Sequence, residues 1–102
     1  MPELMRREQF EPLVGKSFHL KASPEQTVLV ELFEVQALKA YARKGGKMPE
    51  REPFALYFRG PMEFILPQRI YALAEDTLGE VEIFLVPIGP DAAGQRYEAI
   101  FN

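Results

Sequence analysis

The second half of the chain, Pro53 to Asn102, sets short apolar-alternating segments between turn residues at nearly even spacing. Phe54-Ala55-Leu56-Tyr57-Phe58 leads into Arg59-Gly60-Pro61, and Ile70-Tyr71-Ala72-Leu73 leads towards Leu78-Gly79. Val81 to Val86 runs into Pro87 and Gly89-Pro90, and Tyr97 to Phe101 comes last. Successive side chains of an extended strand point to opposite faces, so this rhythm describes antiparallel strands folded onto a shared core. Strands are expected over about 54–59, 68–74, 80–88 and 95–101. In the last of them Tyr97, Ala99 and Phe101 share one face, leaving Arg96, Glu98 and Ile100 on the other.

The first half is less regular. Leu4, Arg7-Glu8 and Phe10-Glu11 fit a short amphipathic helix within 3–14, limited by Pro12 and ended by Gly15, suited to covering an open end of the β core. Phe18-His19-Leu20-Lys21-Ala22 alternates, and Ser23-Pro24-Glu25-Gln26 supplies turn chemistry. From Thr27 to about Leu38, Val28, Val30 and Leu32 share one face while Phe33 and Val35 take the other, which reads as a strand with a bulge near Phe33–Glu34. Leu32, Val35 and Leu38 also fit a helical period, so a helix over 31–42 is the alternative. Lys39, Arg43, Lys44, Lys47 and Arg51, set against Glu50 and Glu52 around Gly45-Gly46, read as a solvated hairpin-tip loop over 39–52. The expected architecture is all-β: a small antiparallel sandwich or partly open barrel of about six strands with a short N-terminal helix, one domain over 1–102. No internal sequence repeat stands out, and an end directly after the last strand reads as that of a complete protein.

Eight Phe and four Tyr in 102 residues supply a core large enough to fold without staples. The absence of Cys excludes disulfides and thiolate catalysis and suits a reducing compartment. A lone histidine, His19, excludes His-pair metal sites. No apolar run of signal-peptide or membrane-span length is present. A net charge of −3 argues against whole-surface affinity for nucleic acid or anionic membrane. These features lead to the expectation of a soluble, cytoplasmic protein with no cofactor and no metal.

Few residues carry chemistry. The cations Arg43, Lys44 and Lys47 are candidate contacts for an acidic partner; the loop lacks P-loop spacing and the interleaved aromatics of single-strand binders. Arg59, leaving a strand into the Gly60-Pro61 turn, either faces a partner or pairs with a carboxylate on an adjacent strand, with Glu82 and Glu98 available. Phe64-Ile65-Leu66, ended by Pro67, is a short strand or a loop plug expected to be buried, with an association surface as the alternative if it is exposed, and Gln68 and Arg69 border it. Glu31 and Glu34, Glu50 and Glu52, and Glu80 and Glu82 are the close carboxylate pairs. Glu80 and Glu82 share a strand face with Phe84, beside a turn where charges are solvated, which argues against acid–base catalysis. His19 points opposite to Phe18 and Leu20, with Ser17 on its own face, and no nucleophile elbow accompanies them. No catalytic residue is expected.

Taken together, Pro53-Phe54-Ala55-Leu56-Tyr57-Phe58-Arg59-Gly60-Pro61, Leu66-Pro67-Gln68 with Ile70-Tyr71-Ala72-Leu73, the Leu78-Gly79 turn, Ile83-Phe84-Leu85-Val86-Pro87-Ile88-Gly89 and Tyr97-Glu98-Ala99-Ile100-Phe101-Asn102 resemble a bacterial domain-of-unknown-function family of proteins of about this length. Gly15 and Phe18 fit its opening. The resemblance brings no established enzyme activity and no assigned catalytic residues, so no site carries over from it. It also implies an association with phage-tail-collar-like or surface-fibre genes. The expected function is therefore a non-enzymatic β domain that associates with a protein partner or with itself as a homo-oligomer. A small-molecule or glycan binder using a rim or cleft at one end of the sheet is the alternative, with Arg59, Gln68, Arg69 and Tyr71 as contacts.

Overall fold

The computed structural model describes residues 5–38 and 53–101. A short helix α1 (Arg7–Phe10) passes into a 3₁₀ turn (Glu11–Leu13), followed by β1 (Ser17–Ser23), β2 (Gln26–Ala37), β3 (Phe54–Gly60), β4 (Arg69–Glu75), β5 (Gly79–Asp91) and β6 (Gly94–Phe101). The strands form a closed antiparallel barrel in the order β1-β2-β3-β6-β5-β4. The sheet therefore closes rather than splitting into a sandwich. Its plan is two three-stranded meanders, β1-β2-β3 and β4-β5-β6, joined through β3–β6 and β1–β4.

Local sequence accounts for most of the element limits. Proline lacks a backbone donor and its ring crowds the carbonyl four residues back, so Pro12 converts the expected helix into one α turn followed by 3₁₀ geometry. Over 31–37 the backbone is strand rather than helix, and the ladder to β3 slips between Leu32 and Glu34, which puts the bulge at Phe33. The basic loop, with Arg43, Lys44 and Lys47, lies outside the described residues. Strand β5 runs further than expected, through Pro87 and Pro90 to Asp91. Its first half, 79–85, pairs with β4, and its second half, from Val86, pairs only with β6. Prolines there have a strand neighbour on one side only, where a missing N–H is tolerated. The slip between Pro87 and Gly89, with Gly89 at φ 97°, completes the bend.

Inward-facing side chains fill the barrel, as expected for one of this size. Phe18 and Leu20 from β1, Val28, Val30 and Leu32 from β2, Phe58 from β3, Leu73 from β4, and Ile83 and Leu85 from β5 are buried, with Tyr97 and Ala99 from β6. Phe18 meets Phe58 edge-on, with ring centroids 5.3 Å apart. At the lower end Phe54 and its ladder partner Phe101 stack at 4.7 Å, and Phe10 of α1 closes over both at 5.9 Å. Truncating an aromatic in such a position costs about 3–5 kcal/mol, so this four-residue helix is held by packing rather than by its own propensity. At the upper end the β3–β4 connection crosses from Gly60 to Arg69. Leu66 is its buried residue, and its N–H donates to the Tyr97 hydroxyl at 2.9 Å.

The end of β3 packs tightly against Gly94 at the start of β6. A Cβ placed there would lie 2.2 Å from the Gly60 carbonyl oxygen, whereas one on Gly60 would meet the Val30 Cγ1 at 3.2 Å. Backbone cannot yield as a methyl group can. Gly94→Ala is expected to lower stability by about 3 kcal/mol and Gly60→Ala by clearly less; urea denaturation of the two variants measures the difference.

Candidate functional site

Arg59, Gln68, Arg69 and Tyr71 all lie towards the upper end, but Arg59 on β3 stands across the barrel from β4, so the structure splits these residues between two places. Arg59 lies near the end of β3, beside the β5–β6 turn. Its Nη2 donates to Asp91 Oδ2 at 2.6 Å, and its Nε reaches both Asp91 oxygens at 3.1 and 3.2 Å. Glu31 stands 3.9 Å from Nη1, and the guanidinium lies 4.0 Å from the centroid of the Phe33 ring. The partners are thus Asp91 and Glu31, not Glu82 or Glu98. Glu82 sits on the half of β5 that pairs with β4, and Glu98 accepts the Tyr57 hydroxyl at 2.9 Å. Asp91 Oδ1 also accepts the Ala93 and Gly94 N–H groups at 2.9 and 3.0 Å, fixing the turn. The Arg59 hydrogen bonds, helped by the Ala93 N–H, hold the Asp91 carboxyl down at about 2. Arg59 is committed to this clamp.

Gln68 and Arg69 are exposed, as expected for a polar border. Tyr71 differs from expectation: its ring is only 2% exposed, because strand alternation turns it inward beside Leu73. Its hydroxyl donates to the Pro67 carbonyl, and burial pushes its pKa up. Tyr71 forms part of the wall of a groove of about 320 Å³ between β1 and β4, together with Lys21, Ser23, Pro24, Arg69 and Ile70. The groove exists because β1 and β4 pair only over His19–Ala74, Leu20–Leu73 and Lys21–Ala72. Above that point they part, bridged by a hydrogen bond from Arg69 Nη2 to the Ala22 carbonyl at 2.5 Å.

Below the same seam lies a second concavity of about 320 Å³, lined by Lys16, Ser17, His19, Glu75, Asp76 and Thr77. His19 is exposed, as alternation requires, and no hydrogen bond joins it to Ser17. Glu75 is buried, but its Oε1 accepts the Thr77 and Leu78 N–H groups, each at 2.8 Å, which commits it to the β4–β5 turn. Among the described residues no group of three or more His, Asp or Glu side chains is placed to hold a metal ion, and no helix is long and apolar enough to cross a membrane.

The outer wall carries a feature that alternation alone conceals. Ile70 on β4 and Phe84 on β5 are direct ladder partners, both facing outward, 62% and 49% exposed. Ile100 is similarly exposed on β6, and it and Phe84 lie two residues beyond the Val86–Glu98 pair along their strands. In the crossing connection Phe64 and Ile65 are also exposed, 40% and 60%, contrary to the expected burial of Phe64-Ile65-Leu66. A segment crossing a barrel end has few inward positions, and here Leu66 takes one. The sequence signal for this surface was present: β4 and β5 place apolar residues at outward as well as inward positions.

Over residues 5–101 the chain matches the family described as Domain of unknown function (DUF6916), and it belongs to that family. No curated protein and no solved structure matches it.

The Asp91 carboxyl titrates at about 2 when folded, below its ordinary 3.8. A depressed carboxylate contributes stability above its unfolded pKa and loses it as pH falls through the folded one. Acid is therefore expected to remove the contribution of this clamp between about pH 4 and pH 2. Arg59→Gln should move the Asp91 titration, followed by carboxyl-carbon NMR, back towards its ordinary value.

Proposed function

We propose that this member of the DUF6916 family is a non-enzymatic association module, docking on another protein through the outward apolar row formed by Ile70, Phe84 and Ile100. The observation that carries the reading is the Ile70–Phe84 pair: two large apolar side chains, adjacent across the ladder, left in water on a barrel whose core is otherwise well filled. An adjacent pair of large apolar side chains is costly to leave exposed and favourable to cover, and Ile100 on the next strand extends the reading. The described carboxylates and His19 support no acid–base or nucleophilic assignment: Glu75 and Asp91 are bound up in turns, and Glu98 in its bond to Tyr57. Resemblance to proteins linked with phage-tail-collar-like or surface-fibre genes supports an accessory or assembly role, acting in the cytoplasm before or during the building of such a structure. The partner is then a structural subunit or a second copy of this chain.

A second reading has its own support. The groove beside Arg69 and Tyr71 is a concavity of mixed polar and apolar lining at the rim, the setting in which a small-molecule or glycan binder would be built.

The first reading predicts that Phe84→Asp with Ile100→Asp weakens association by about thirtyfold, the scale for removing a buried aromatic anchor. Light-scattering mass across a concentration series, and co-purification with the products of adjacent genes, measure it. A protein that stays monomeric throughout and retains none of those products counts against the module.

A further inference from the structure

We propose that the groove between β1 and β4 receives an extended, carboxylate-bearing peptide segment, which adds to the free edge of β4. This rests on the reading of the domain as an association module, and it names the partner chemistry at a second surface.

Strand β4 pairs with β5 along its whole length, from Arg69 to Glu75, but with β1 only over 72–74. The backbone of Arg69–Tyr71 therefore has a ladder neighbour on one side alone. An unpaired strand edge is a template for another strand. The divergence is built in: β1 slips register between Lys21 and Ser23 and turns away at Pro24. What spans the opening is a side chain, Arg69, through its hydrogen bond to the Ala22 carbonyl. A flexible side chain can swing aside, or stay and meet an arriving carboxylate, as a paired backbone cannot.

Charge selects the occupant. Lys21 and Arg69 both line the groove, and neither has a carboxylate partner among the described residues. Arg7 and Arg59, in contrast, are held by Glu11 and Asp91. Two unneutralised cations at one opening, in a chain of net charge −3, complement carboxylates. Groove geometry disfavours a sugar, because Tyr71, the one aromatic among the described lining residues, is buried and has the Arg69 guanidinium 4.9 Å from its ring centroid. Ile70, exposed at the lip, supplies an apolar contact for alternate residues of the incoming segment.

The test uses the full chain and a labelled, end-blocked hexapeptide alternating valine and glutamate, followed by fluorescence anisotropy. Binding is expected to fall at least tenfold when glutamine replaces glutamate, and likewise in Arg69→Gln and in Lys21→Gln, each checked for an unchanged melting temperature. Among the described residues the Lys21 side chain has no hydrogen bond or ion pair, so Lys21→Gln remains informative if Arg69→Gln unfolds. Of two peptides N-methylated on odd or on even residues, one is expected to lose binding and the other to keep it, since alternate N–H groups face the pairing edge. The proposal is overturned if acidic and neutral peptides bind alike or neither binds. It is equally overturned if both variants bind as the parent does, or if glutarate alone displaces the peptide, which would make the groove a small-carboxylate site. Ile70 borders both surfaces, but substitutions at Phe84 and Ile100 leave the groove lining intact and so separate the two readings. Loss of association in the Phe84 and Ile100 variant, with no peptide binding by the parent, overturns the groove and leaves the apolar row. Peptide binding by a parent that never associates through the row does the reverse.

Discussion

The architecture depends on two long strands that each serve two neighbours. Strand β2 pairs with β1 through Glu31 and with β3 from Glu31 onward, while β5 pairs with β4 through Leu85 and with β6 from Val86. A six-stranded sheet can bend back on itself only if some strands coil sharply, and bulges supply the needed twist. The slips at Phe33 and at Ile88 lie close to the points where these strands change partner. Much else follows from them. The bulge sets Phe33 against the face of the Arg59 guanidinium, and the bend carries Asp91 to its Nε–Nη2 edge. The clamp is thus a by-product of closure as much as a cause of it.

Strand existence and facing were legible because period-two alternation is strong in β1 and over most of β6, where inward and outward residues differ in kind. Phe18 and Leu20 against His19 and Lys21 leave no ambiguity, and neither do Tyr97 and Ala99 against Arg96 and Glu98. The bulge was legible for a related reason, since the apolar phase of β2 changes at Phe33. Less was visible where residue type carries no directional information. Phe64 and Ile65 look like core, yet they stand on a connection whose path across the barrel end only the strand order determines. The partner of Arg59 was misplaced because cross-strand distance depends on which half of β5 faces β6. Tyr71 looked like a rim contact because Arg69 and Gln68 precede it, but parity turns its ring inside. The groove itself had no sequence signature at all: it arises where two strands far apart in the chain stop pairing.

The two surfaces of interest differ in physical character. The row on β4, β5 and β6 offers area without direction, a contact that hydrophobic burial would strengthen and salt would weaken little. The groove offers direction without much area: free backbone, two cations and a lip. Charged contacts of that sort govern encounter rate and selectivity more than residence. Placing both on or beside β4 means that one strand sits between an adhesive wall and a selective slot.

The barrel's two closures are unequal. Seven residue pairs join β3 to β6, whereas three join β1 to β4. Amide exchange in a native protein proceeds through the cheapest local openings. The β1–β4 line is therefore where this barrel unzips first, while the two meanders persist as cooperative units on either side of it.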